Sequence, residues 1–260
     1  MRLRKGYIFR LLYLDRKSLI STVGSFFVIL LMISLVRLSM SCGNLASLLK
    51  DDNERTNVNL AVYCLGTGLC SVIAFVLPLG ITVMISDIKC RWNIFAKTIP
   101  MTAAEQSAHI YGLKLMLWCT ALLLSFLARA VLGAVCGIGS DTVMAQVILV
   151  IGGINALISC YQPTAMILLK KAGFVSLIDF AFSMISAALM ALGMMNYLKG
   201  LGLTTGEEIE EEQLDHILEI LKQDGLSLLG TLAVAAPFVT AAVFGLFFFL
   251  MTKALERKEA

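Results

Sequence analysis

Residues 60–86 read LAVYCLGTGLCSVIAFVLPLGITVMIS, a stretch without a single Asp, Glu, Lys, Arg or His. A hydrocarbon core of about 30 Å takes roughly 20 helical residues to cross, so this block is long enough to span a bilayer. Its apolar residues run continuously and do not alternate, which argues against a barrel strand. An open strand is excluded because lipid cannot satisfy its edges. Outward from it lie further blocks of the same kind at 19–41, 110–134, 143–169, 173–198 and 227–252. The expectation is an all-α polytopic membrane protein with six transmembrane helices. Composition agrees: 58% of the 260 residues are hydrophobic, 15% are charged and mean hydropathy is +0.86. An ordinary soluble domain is about half apolar and about a quarter charged. The first block follows a basic stretch, but it is longer than a signal h-region and no small-residue cleavage site closes it, so it reads as a retained anchor.

Basic residues orient the spans. With the N-terminus in the cytoplasm, the inner segments hold Arg2, Arg4, Lys5, Arg10, Arg16 and Lys17, then Lys89, Arg91, Lys97 and Lys114, then Lys170 and Lys171, then Lys253, Arg257 and Lys258. Outside are only Lys50, Arg55, Lys199 and Lys222. This asymmetry places both termini in the cytoplasm. The net charge of +3 is then a mark of topology. It says little about nucleic acid, since no basic motif interleaved with aromatics rises above it.

Three segments are expected outside the bilayer. Residues 1–18 place Leu3, Tyr7, Leu11 and Leu14 at helical spacing among basic residues, which predicts an amphipathic helix on the inner membrane surface. The loop 87–108 sets Trp92 and Phe95 three apart among Lys89, Arg91 and Lys97. A short helix there shows an aromatic edge in a basic frame, either a contact surface or an interfacial anchor. Pro100 ends that helix, and Thr102 with Glu105 forms a capping box that opens the next one. The stretch 199–226 is acidic, with Glu208, Glu211, Asp215 and Glu219 opposite an apolar stripe of Leu214, Ile217, Leu218 and Leu221. It predicts an extracellular amphipathic helix before the last span, capped by Thr205 and ended by Gly225, acting as a solvated face or as a lid at an exit.

The segment from Asp87 through Trp92 and Phe95, the turn Thr98-Ile99-Pro100-Met101-Thr102 and the span beginning near Tyr111-Gly112-Leu113-Lys114 resembles the permease subunits of ABC-2 type exporters. The layout is most similar to the permeases that export phenol-soluble-modulin-type amphipathic peptides. The resemblance implies a multi-pass protein of the bacterial cell membrane that works as a dimer, with spans 1 and 5 at the dimer interface. It implies two copies of a separate ABC ATPase docking on a coupling helix, here Lys89, Arg91, Trp92, Phe95 and Lys97. ATP and Mg would sit on that partner and no cofactor on this chain. In keeping with this, no Gly-Lys pair occurs, so a phosphate-binding G-x-x-x-x-G-K-[ST] loop is absent. Neither H-E-x-x-H nor G-x-S-x-G occurs either. His109 and His216 fall on opposite sides of the expected membrane, which leaves no two-histidine metal site. No enzymatic activity of its own is expected.

Ionisable residues within spans are functional candidates. Arg37 and Arg129 lie near the outer ends of spans 1 and 3 and either line an outward cavity or snorkel to headgroups. Asp179, near the inner end of span 5, either pairs with Lys170 or Lys171 or sits at the interface. Beyond these the spans offer amides such as Asn155 and Gln162. Gly152 and Gly153 with Pro163 indicate close packing or a kink in span 4, and Gly137-Ile138-Gly139 an outer turn before it. Cys42 and Cys136 lie near the outer face, and spacing leaves their pairing open. The expected function is therefore a permease subunit exporting amphipathic or hydrophobic peptides. The alternatives are an ion-coupled secondary transporter and a peptide-binding immunity or regulatory membrane protein.

Overall fold

The computed structural model describes residues 5–42, 52–79, 102–139, 142–169, 184 and 211–259. These form helices α1 (Lys5–Cys42), α2 (Asp52–Leu79), α3 (Ala103–Cys136), α4 (Thr142–Leu169) and α5 (Glu211–Glu259). Each contains a stretch long and apolar enough to cross a bilayer: Leu19–Met40, Val58–Leu79, Ala103–Cys136, Thr142–Ala165 and Leu229–Arg257. The expectation of six transmembrane helices is corrected to five among the described residues. Apart from residue 184, block 173–198 lies outside those residues.

Two expected boundaries are also corrected. Helix α1 runs unbroken through the 18/19 junction, so residues 5–18 are the first turns of the helix that carries the first span, not a separate surface helix. The reason is local: from Tyr7 to Val23 the chain has neither Pro nor Gly, so a change in charge pattern meets no backbone break. Helix α5 likewise passes through Gly225, joining the acidic stretch to the last span in one helix of 49 residues. A single Gly costs about 1 kcal/mol against Ala, which a helix packed further along its length absorbs. Pro78, Pro163 and Pro237 all lie inside helices that continue past them.

Other local signals act as expected. Thr102 Oγ1 accepts from the Glu105 amide at 3.2 Å while the Thr102 amide donates to Glu105 Oε2 at 3.0 Å, the reciprocal capping box that starts α3. Its far end closes in a left-handed turn at Gly137, φ 69°. There the Gly137 and Ile138 amides donate back to Ala134 and Gly133 carbonyls at 3.4 and 2.8 Å. Only a residue without Cβ takes that φ without strain, which is why the turn carries glycine.

Helices α3 and α4 sit at the centre. One apolar cluster joins Phe26 and Leu30 of α1, Tyr63 and Phe75 of α2, Leu132 of α3 and Ile148 of α4. A second joins Tyr111 of α3, Ala156 and Cys160 of α4, and Phe244 and Met251 of α5. Between helices in lipid there is little hydrophobic driving force, so close packing and hydrogen bonds must hold them. Gly66 permits this for the first three helices, since a Cβ there would lie 2.9 Å from Leu132 Cδ1 and 3.1 Å from Ile33 Cγ2. Outward-facing side chains such as Phe27, Leu31, Phe238 and Phe249 are apolar, as hydrocarbon requires.

Candidate functional site

One face of α3 decides where the polar groups go. Ser107, Tyr111, Lys114, Trp118, Ala121, Ser125 and Ala128 follow one another at alternating steps of four and three, so they form a single stripe along the helix. All of these but the half-buried Trp118 are buried. Three side chains of this stripe reach across to the neighbouring helices. The Tyr111 hydroxyl donates to the Cys160 carbonyl at 2.9 Å and lies 2.7 Å from Thr164 Oγ1. The Lys114 ammonium donates to the Pro78 carbonyl and, at 3.3 Å, to Gln162 Oε1. The Trp118 indole N–H donates to the Gly152 carbonyl at 2.7 Å. A fourth side chain closes the group, Asn155, whose Nδ2 donates to the Phe75 carbonyl at 3.1 Å.

The arrangement ties α2, α3 and α4 at the level of two prolines. Pro78 and Pro163 are both fully buried, and Lys114 engages the carbonyl of one and the residue preceding the other. A proline removes a backbone donor from its helix, leaving a bend point that neighbouring side chains must support. The acceptors of Tyr111, Lys114 and Trp118 are mostly backbone carbonyls, so the ties depend on helix position as much as on side-chain identity. Phe244 of α5 covers the same face, its ring edge-on to Tyr111 and Trp118 at 6.4 Å from each centroid.

No protein-family model matches the chain, and no curated protein or solved structure matches it either. The chain is a polytopic helical membrane protein. Its site is read from its own residues.

The sequence-predicted candidates distribute as follows. Arg37 of α1 lies beside Cys136 in the last turn of α3. A cation beside a helix C-terminus meets the negative end of the macrodipole, so this arginine has a structural partner at its own level. Arg129 is on α3, seven residues before Cys136 and thus about 10 Å from it along the axis. Cys136 is a free thiol. Glu211, Asp215 and Glu219 occupy the first turns of α5 at steps of four. Lys89, Arg91, Trp92, Phe95, Lys97, Asp179 and Glu208 lie outside the described residues. Among the described residues no group of three or more His, Cys, Asp or Glu is placed to hold a metal ion.

Lys114 is the residue the sequence reading misplaced. Counted there with the cytoplasmic flank, it is 7% exposed and held inside the bundle. Its sequence signal is the three-residue step from Tyr111, which puts both on the buried stripe. The acceptors that make it a site, 36 and 48 residues away, leave no local trace.

Proposed function

We propose that the chain is the permease subunit of an ATP-driven exporter of the ABC-2 type, working as a dimer with two copies of a separate ATPase and moving amphipathic or hydrophobic peptides out of the cell. The observation that carries the reading is the start of α3. The capping box at Thr102 makes the helix rigid from its first residue, directly after the loop that bears Trp92 and Phe95. Within the next three turns Tyr111 and Lys114 fasten it to α2 and α4. A push on the loop is thereby delivered to three helices at once, which is what a docked motor needs. Tyr111 and Lys114 are also the residues through which the sequence resembles that family.

The test is co-purification of the chain with the ATPase encoded beside it, followed by ATP turnover with and without the permease. A stable complex with altered turnover is expected, and Trp92→Ala with Phe95→Ala should abolish docking while the protein stays inserted. Absence of a complex overturns the proposal. The buried amides Asn155 and Gln162 beside Lys114 favour one second reading, an ion-coupled carrier. That reading requires peptide movement in proteoliposomes driven by an ion gradient without any ATPase.

A further inference from the structure

Helix α5 runs parallel to α4: Gly230 lies beside Gln146, Ala236 beside Gly153, and the Phe247 ring 6.5 Å from that of Tyr161. Helix α3 runs against α4, since Tyr111 meets Cys160 and Trp118 meets Gly152. The last turns of α5 therefore head toward the start of α3. Phe244 marks the depth, with its ring 6.4 Å from that of Tyr111. Lys253 stands nine residues past Phe244, about 13 Å along the axis, and Ala103 eight residues before Tyr111, about 12 Å. Lys253 is thus level with the capped first turn of α3, at the end of the bundle. On α5 the residues Leu246, Leu250, Lys253 and Arg257 follow at steps of four, three and four, which makes one strip about 60° wide. All four are exposed. The strip is apolar over its first turn and basic over its last, and the change falls where α3 begins.

We infer that this strip binds one anionic phospholipid, with an acyl chain along Leu246 and Leu250 and the phosphate between Lys253 and Arg257. The occupant follows from position. An exposed apolar strip on a spanning helix borders acyl chains, so the groups that meet the cations at its end are headgroups. The two cations are one turn apart, about 6 Å along the axis, and a phosphate accepts from an ammonium and from a guanidinium fork together. Lys253 Nζ sits 4.6 Å from the centroid of the exposed Phe249 ring beside the strip, a cation–π contact that holds the ammonium on the lipid side of α5. Among the described residues neither Lys253 nor Arg257 forms an ion pair. The nearby acidic residues, Glu256 and Glu259, fall about 60° and 120° around the helix from Lys253, on the side away from Arg257. A zwitterionic lipid would bring its own ammonium against these cations, whereas an anionic one does not. The site does not rest on the export reading.

The test is competition between lipids. The full chain in detergent is incubated with equimolar phosphatidylglycerol and phosphatidylcholine, and the lipids it retains are identified by native mass spectrometry. A basic side chain at an anionic surface is worth about a fivefold preference. Phosphatidylglycerol is therefore expected to be retained at least about fivefold over phosphatidylcholine. Lys253→Gln and Arg257→Gln should each lower that ratio several-fold, and the double variant should bring it close to one. Both side chains are exposed, so the variants should melt at the temperature of the parent chain. Lys17→Gln removes an exposed cation from α1, away from the strip, and should leave the ratio unchanged. Equal retention of the two lipids by the parent chain overturns the site, as does a ratio that survives the double variant. A fall in Lys17→Gln as large as in Lys253→Gln also overturns it, because the preference then belongs to overall charge. Retention of inorganic phosphate without lipid, lost in the same variants, would make the strip an ion site and overturn the lipid.

Discussion

Helix α4 meets α3 through side chains that donate to its backbone and to Gln162, whereas it meets α5 by packing, with small residues at Gly153 and Ala236 and rings at Tyr161 and Phe247. On the first side Tyr111, Lys114 and Trp118 reach Cys160, Gln162 and Gly152. On the second, a Cβ on Gly153 would lie 3.4 Å from the Ala236 methyl and 3.9 Å from Thr240 Oγ1, with Ala156 and Ala233 buried nearby in the sequence of each helix. Hydrogen bonds to carbonyls fix the register of two helices, because a slide of one residue breaks them all. Packing of small residues fixes only the distance. The register of α3 against α4 is therefore marked by polar ties, while α5, whose contact with α4 is the more extensive, is held to it by packing.

The largest effect expected is on the packed side. Gly153→Leu drives a branched side chain into Ala236 and should cost about 3 kcal/mol, read as earlier reactivity of the buried thiols Cys64 and Cys160 during thermal unfolding in detergent. A near-neutral result would mean that α4 and α5 are not in close contact, and the comparison would break. Gly152→Ala comes next, at about 1–2 kcal/mol, because its Cβ would meet Leu122 Cδ2 at 3.0 Å and Phe75 Cζ at 3.3 Å. Smaller again, Trp118→Phe removes one interhelical hydrogen bond and Tyr111→Phe two, at about 1 kcal/mol or less per bond of this kind in membranes. The two sites are about 10 Å apart along α3, so their costs should add to within about 0.5 kcal/mol. A clear excess in the double variant would show that the two ties between α3 and α4 act together. The smallest effect is Gly153→Ala, under about 0.5 kcal/mol, since 3.4 Å is ordinary contact. A large cost there would show α5 to be as tightly registered as α3.

How much of this was legible in the sequence depends on the range of the interaction that fixes each feature. The span blocks within α1 to α5 follow from local hydropathy, and Thr102 with Glu105 and Gly137 from motifs a few residues long. The continuity of α1 past residue 18 was misread because a change of charge pattern was taken for an end of helix, and that of α5 because the lone Gly225 was. Helices end where backbone donors and acceptors find other partners, and neither place offers any sign of that. Lys114 was misplaced for the opposite reason. Charge statistics count a lysine near a span end as flank, while its burial is decided by Pro78 and Gln162 on other helices. Arg37 and Arg129 were rightly singled out as residues within spans, but nothing local told that Arg37 would find the end of α3.

The Lys114 tie also bears on how the protein is made. A lysine within a span raises the free energy of inserting that segment by up to about 3 kcal/mol at the bilayer centre and by less toward the edge. Its acceptors belong to the span synthesised before it and the span synthesised after it. Helix α3 therefore leaves the insertion machinery with one of these acceptors already in place and the other still to emerge, which favours release of α2, α3 and α4 as a group. A glycosylation-site reporter fused after α3 should show incomplete integration when α2 is deleted, and recovery when Lys114→Leu is added.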